Sequence, residues 1–252
     1  MRRTDNRIIA VGVIFCAALF CSPLQAADAT VRLDDGWHRH PHKDRIFFFA
    51  GGDIASDSFF GWAGIVGAPF GLLHEDGWRF RIMGGGGRYR YRTGAVASGN
   101  NEGNVTSGEL MMGYRATFGS LIATVFVGAH VENQNLKASD PGHRTQGTEA
   151  GVKVALEFYR RLTPDIFATG YASVSTVHGA YNLRGTLARE FTPIAAGFEA
   201  ALLGDARYNE PRVGMFIQTT YRRTTVSIAG GYLSNSDKGS GAYGTLALNA
   251  AY

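Results

Sequence analysis

The sequence predicts an all-β protein, a single antiparallel transmembrane β-barrel of about 12 strands. Three observations lead there. The chain opens on an export leader. Its body alternates apolar and polar residues in segments of about ten. It closes on an alternating segment that ends in tyrosine.

The leader occupies residues 1–26. Arg2, Arg3 and Arg7 make a positive start, Ile8 to Phe20 is a nearly unbroken apolar run, and Ser22-Pro23-Leu24-Gln25-Ala26-Ala27 is a small-residue exit, with cleavage expected after Ala26 or Ala27. The run is shorter than the about 20 residues a spanning helix needs, which argues against a retained anchor. Phe20 stands before Cys21 where a lipoprotein signal calls for a small residue. Cys16 and Cys21 are the 2 cysteines, so the exported chain has none, and its fold must rest on backbone pairing or a large core. Arg2, Arg3, Arg7 and Asp5 account for +2 of the net +4, and the remaining +2 is too weak to indicate nucleic acid. Residues 27–45, with Trp37, read as a polar periplasmic arm, and residues 46–252 as the barrel.

In the body, Leu121, Ala123, Val125, Val127, Ala129 and Val131 share one face of a strand. Thr148, Ala150, Val152, Val154, Leu156 and Phe158 line one face of another, opposite Glu149, Lys153 and Glu157. Charge on every second residue with apolar groups between them gives a strand two different neighbours, here lipid outside and a polar lumen inside. No exported stretch is continuously apolar over about 20 residues, so helical spans are not expected. The expected strands are 46–55, 58–68, 77–93, 105–118, 121–132, 147–159, 165–177, 180–191, 194–203, 211–222, 224–234 and 241–252. Their even number returns both ends to the periplasm. Connections such as Phe118-Gly119-Ser120, Thr192-Pro193 and Arg222-Arg223 are short, whereas 94–104, 133–146, 204–210 and 235–240 are longer and fall on the outer side, the asymmetry expected of this class. Residues 69–76 are a longer connection on the periplasmic side.

The last segment places Gly244, Leu246, Leu248, Ala250 and Tyr252 on one face, an alternating strand with an aromatic end of the kind outer-membrane barrels use in assembly.

The segment Trp78 to Thr93 is the most unusual. Arg79 and Arg81 hold odd positions, Gly84 to Gly87 follow, and Arg88, Arg90 and Arg92 then hold even positions between Tyr89 and Tyr91. This predicts a phase switch at the glycines, where a bulge or bend is tolerated. Trp78, Arg88, Tyr89, Arg90 and Tyr91 are the candidate rim contacts for a glycan or for lipid headgroups. The expected lumen lining is Arg79, Arg81, Glu109, Arg115, Glu132, Lys153, Glu157, Arg184, Glu190, Glu199 and Arg212, with Glu149 beside them; it serves either as a structural salt-bridge ladder or as a lined pathway.

No cofactor, metal or enzymatic activity is expected. His38, His40 and His42 are two residues apart in the arm, but Pro41 interrupts them and no cysteine or suitably spaced carboxylate completes a site. His130 and His178 fall near outer strand ends, with Ser173 and Ser175 close to His178. Nucleophilic catalysis requires a base in hydrogen-bond reach of the hydroxyl and a third group orienting it. The four glycines lack the Lys-Ser/Thr ending of a phosphate-cradling loop.

The stretches Phe47-Phe48-Phe49-Ala50-Gly51-Gly52-Asp53-Ile54-Ala55-Ser56-Asp57-Ser58 and Asp76-Gly77-Trp78-Arg79-Phe80-Arg81, with Gly84 to Gly87 and Arg88-Tyr89-Arg90-Tyr91 behind them, resemble the BcsS family of cellulose-biosynthesis proteins. The resemblance extends over residues 45–252 and is carried chiefly by the first third. It implies a non-enzymatic outer-membrane accessory in cellulose biosynthesis, secretion or anchoring, not the glycosyltransferase. It brings no catalytic residues. The implied partners are outer-membrane lipids and cellulose or components of the cellulose-synthase complex, with no nucleic acid. The alternatives are a lipid-modifying barrel enzyme and a general small-solute porin.

Overall fold

The computed structural model describes residues 43–141, 145–205, 208–235 and 239–252; the leader, most of the arm and the three arm histidines lie outside them. Twelve strands follow in order: β1 (Ile46–Ala55), β2 (Ser58–Gly67), β3 (Gly77–Arg92), β4 (Asn100–Phe118), β5 (Leu121–Leu136), β6 (Gly147–Arg161), β7 (Ile166–Ser175), β8 (Tyr181–Phe191), β9 (Ile194–Gly204), β10 (Asn209–Tyr221), β11 (Thr224–Asn235) and β12 (Gly239–Ala251). Each pairs antiparallel with its sequence neighbours, and β1 closes on β12 through a register running from Phe47 opposite Ala251 to Ala55 opposite Tyr243. Closure leaves no unpaired edge, which is why backbone of this kind is tolerated in lipid. Among the described residues no helix is long and apolar enough to cross a membrane, and the crossing is made by strands.

The alternation sorts side chains as the period of two demands. Ile46, Phe48 and Ile54 face outward and Phe47 and Phe49 inward on β1. On β5, Val125, Val127 and Val131 are outward and Phe126, His130 and Glu132 inward. The last residue completes the closure. Arg45 and Ile46 both donate backbone N–H groups to the Tyr252 carbonyl at 2.8 Å, and the exposed Tyr252 ring meets Phe48 edge-on at 6.0 Å.

Two expectations need correction. β4 starts at Asn100, not at 105, and β5 runs to Leu136, not to 132, so the third and fifth connections are shorter than the sequence suggested. The extra pairs are polar, such as Asn104 opposite Asn135, and read as loop when only apolar alternation is followed; the inward residues Asn101, Glu132 and Gln134 are nevertheless buried. The phase switch in β3 is absent. Its pairing with β2 and with β4 runs without interruption through Gly84 to Gly87. The glycines answer a packing need instead. A Cβ on Gly85 would stand 2.8 Å from a Phe60 ring carbon, and one on Gly87 equally close to the same ring. Aromatic rings from β2 lie over these inward glycines, and no bulge is required.

One side of the lumen is therefore filled by a column of rings and aliphatic groups. Leu73, Val66 and Phe47 stand toward the periplasmic end, Phe49, Phe60 and Trp62 follow, and Tyr89 and Tyr91 stand toward the outside. Residues 68–76 fold back under this column. Leu73 is fully buried, its N–H donates to the Asp44 carbonyl at 2.9 Å, and Arg79 donates to the carbonyls of Leu73 at 2.9 Å, Trp78 at 2.8 Å and Glu75.

Candidate functional site

Beside the ring column the lumen holds two ionic clusters. Arg81 on β3 meets Glu109 on β4 at 2.9 Å and Glu157 on β6 at 2.5 Å, and Lys153 on β6 meets Glu109 at 2.7 Å. The Arg81 guanidinium also lies 4.4 Å from the centroid of the Phe126 ring, a cation–π contact inside the wall. A second cluster lies across the barrel. Arg212 on β10 reaches Asp53 on β1 at 2.8 Å and Glu210 at 2.7 Å, Arg184 on β8 pairs with Glu199 on β9, and Tyr243 on β12 donates to Glu199 at 2.5 Å. Buried charges are tolerated only when paired, and removing one partner of such a pair typically costs about 3–5 kcal/mol. The two clusters thus fix which side chains occupy the lumen more than they add net stability.

All eleven residues expected to line the lumen face it. Arg79, Arg81, Glu109, Arg115, Glu132, Lys153, Glu157, Arg184, Glu199 and Arg212 are buried, and Glu190 holds Arg161 at the periplasmic end at 3.3 Å. Their burial shows a lumen packed by side chains; the wall of a wide aqueous pore would leave them exposed to water. Asp53, Glu210 and Tyr243 belong to the same constellation and were not anticipated, although each carries the inward parity of its strand.

The outer end carries a network of tyrosine, glutamine and threonine groups donating toward Gln134 and the carboxylates of Glu132 and Asp140. Tyr89 donates to Gln134 at 2.9 Å, Gln134 donates to Glu132 at 2.6 Å, and Tyr91 and Thr93 donate to Asp140 at 3.1 and 2.8 Å. His130 Nδ1 stands 2.9 Å from the Ser175 hydroxyl, while His178 lies between Glu149 at 2.7 Å and Glu132 at 3.6 Å. The hydroxyl and the two carboxylates are thus held by different imidazoles, both inside the packed lumen. Among the described residues no group of three His, Cys, Asp or Glu is placed to hold a metal ion.

The rim candidates separate. Tyr89 and Tyr91 face inward with ring centroids 6.0 Å apart, and Arg88 and Arg90 face outward. Trp78 is at the periplasmic end of β3 on the outer face, edge-on to Tyr114 at 5.5 Å, so it does not join the tyrosines. Arg81 and Arg88 differ in parity and so face opposite sides of an unbroken strand, with no bulge between them. At the outer mouth a small cleft of 70 Å³ lies between the tips of β1, β3, β10 and β12, lined by Tyr89, Tyr91, Tyr208, Glu210, Asn235 and Ser240. By volume it has room for about two waters.

Closure, outward apolar residues and a filled lumen define an outer-membrane β-barrel. Solved structures agree on the fold. The KdgM porin in complex with disordered oligogalacturonate is similar with a TM-score of 0.51 at 10% identity, over 82% of this chain and 99% of that one. LpxR from Salmonella typhimurium is similar with a TM-score of 0.50 at 9% identity, over 82% of this chain and 100% of that one. No curated protein matches the chain significantly in sequence. The chain belongs to the cellulose biosynthesis protein BcsS family, whose sequence model matches residues 47–251.

Proposed function

We propose that this barrel is a non-enzymatic accessory that anchors or guides newly exported cellulose at the outer surface, beside the synthase machinery and not as its catalyst. The observation that carries the reading is the combination of a packed lumen with a polar, tyrosine-lined cleft at the outer mouth. Cellulose is a neutral polyhydroxyl chain. The Asn235 amide and the Ser240 hydroxyl at the mouth of the cleft offer it hydrogen-bond partners without demanding a charge, above a floor of buried Tyr89, Tyr91 and Glu210 already bonded to Gln134, Asp140 and Arg212. The packed interior favours anchoring over conduction of a chain through this barrel, and it disfavours the small-solute porin. The separation of Ser175 and the carboxylates onto two imidazoles disfavours the lipid-modifying enzyme.

The reading includes export by the leader in residues 1–26, with residues 27–45 as a periplasmic arm. The mass of the mature N-terminus tests this: a chain beginning at Met1 in the outer membrane refutes it. For the function, deletion is expected to abolish surface cellulose while synthase activity in isolated inner membranes persists. Loss of that activity as well would remove the surface role.

A further inference from the structure

The outward face of β3 carries a feature that the cellulose reading leaves unused. From the periplasmic end it reads Trp78, Phe80, Ile82, Gly84, Gly86, Arg88, Arg90 and Arg92. Ten residues separate Trp78 from Arg88; at about 3.3 Å per residue and a tilt of about 40° they rise about 25 Å, the height of the apolar band of such barrels. Arg88 therefore sits at the outer headgroup level if Trp78 marks the inner one, and Arg90 and Arg92 stand just above it.

Arg90 shares Glu102 with Lys137, at 3.0 and 3.2 Å. Arg88 and Arg92 have no ion-pair or side-chain hydrogen-bond partner among the described residues. The outward side of this corner is thus strongly positive, with three guanidinium groups at intervals of about 7 Å along one strand.

Directly below the arginines the wall is dished. Gly86, Gly61 and Gly52 form one row across β3, β2 and β1, and Gly84, Ala63 and Ala50 form the next. Larger residues bound the hollow, with Ile82, Ile65 and Phe48 beneath it and Leu248 to one side, and the resulting apolar groove measures 540 Å³. Its walls are almost wholly apolar; it runs from Thr224 and Ala250 near the periplasmic end up to Gly84, four residues below Arg88 on the same face of β3.

We infer that this corner is a specific site for a phosphorylated, multiply acylated glycolipid of the outer leaflet. The guanidinium groups of Arg88, Arg90 and Arg92 take the phosphates, and the hollow over Gly84, Ala63 and Ala50 takes an acyl chain. Guanidinium matches phosphate geometry in bidentate fashion, and an unpaired guanidinium at a lipid interface seeks such a partner. The charge complements the anion, and the groove complements the chain attached to it. The inference rests on the barrel alone and does not depend on a role in cellulose export.

The test uses the full chain, exported and extracted from the outer membrane in mild detergent, with bound lipid counted by native mass spectrometry. The probes are diphosphorylated lipid A, the same glycolipid stripped of its phosphates, and phosphatidylglycerol. The wild type is expected to hold the diphosphorylated form about tenfold or more tighter than either of the others. The triple variant R88Q/R90Q/R92Q should lose that preference, while R222Q, at a periplasmic turn, should keep it. G84L, whose Cβ would meet only the Ser107 carbonyl oxygen at an ordinary contact distance of 3.7 Å, should fold and weaken both glycolipids alike. Equal retention by the triple variant, or equal binding of phosphatidylglycerol, would overturn the assignment.

Discussion

At the scale of single residues, the interior is governed by where a Cβ can stand. Gly64 faces inward beneath Phe49; a Cβ there would lie 2.3 Å from the Phe49 ring and 2.6 Å from the Ile82 carbonyl oxygen. Gly52 faces outward, and its nearest neighbours would be 3.7 Å away. Gly64→Ala is therefore expected to destabilise by about 1–3 kcal/mol through overpacking, and Gly52→Ala to be near neutral. Urea titration of the unboiled, fast- or slow-migrating band on gels measures both, and equal midpoints would contradict the ring-over-glycine packing. The sequence shows these glycines but not their purpose, because a bulge and a ring-bearing neighbour both select glycine. Charged lumen residues were legible because each interrupts an apolar segment with strict parity. Asp53 has the same parity as Phe47 and Phe49 but sits among glycines that blur the period, and Asp140 lies in a connection with no period to read.

At the scale of elements, the connection after β2 shows what length alone cannot disclose. Its position on the periplasmic side was expected, but its folding under the lumen was not, since this depends on Leu73 reaching a hollow made by distant strands. The end of this connection is clasped to β4. Thr117 donates to Asp76 through its hydroxyl at 2.6 Å and its backbone N–H at 3.1 Å. These bonds hold the Asp76 carboxyl below its ordinary value. A depressed carboxylate adds stability above the unfolded value and loses it as pH falls through the folded one, so the clasp is present at neutral pH and releases below about pH 4. Limited proteolysis of residues 68–76 should accordingly rise on acidification in the wild type. Thr117→Val should give a turn already open at neutral pH, with little further change in acid. Strand positions themselves were largely legible, because an apolar residue at every second position and short turns with residues such as Gly119 at φ 62° leave few alternative pairings. What was lost was the polar outer extension of β4 and β5, where pairing persists after the apolar signal has ended.

At the scale of the whole molecule, the closed order and the packed interior predict an electrically quiet protein. Purified chain in planar bilayers should show no steady conductance, and a stable open level would refute the filled lumen. Closure and strand count were readable from the alternation, whereas the setting of two ionic clusters beside a column of rings is a property of three-dimensional neighbours. The ionic contacts that span that interior join strands that are not adjacent: Arg81 to Glu157 links β3 with β6, Arg212 to Asp53 links β10 with β1, and Tyr243 to Glu199 links β12 with β9. Each is a chord across the cylinder, not a rung along its wall. A hollow tube under a sideways pull flattens, but one braced by chords keeps its cross-section until a brace breaks. A surface fibre drawn by flow or by neighbouring cells would load the mouth of this barrel from one side, and the buried ion pairs are the struts that would carry that load into the membrane.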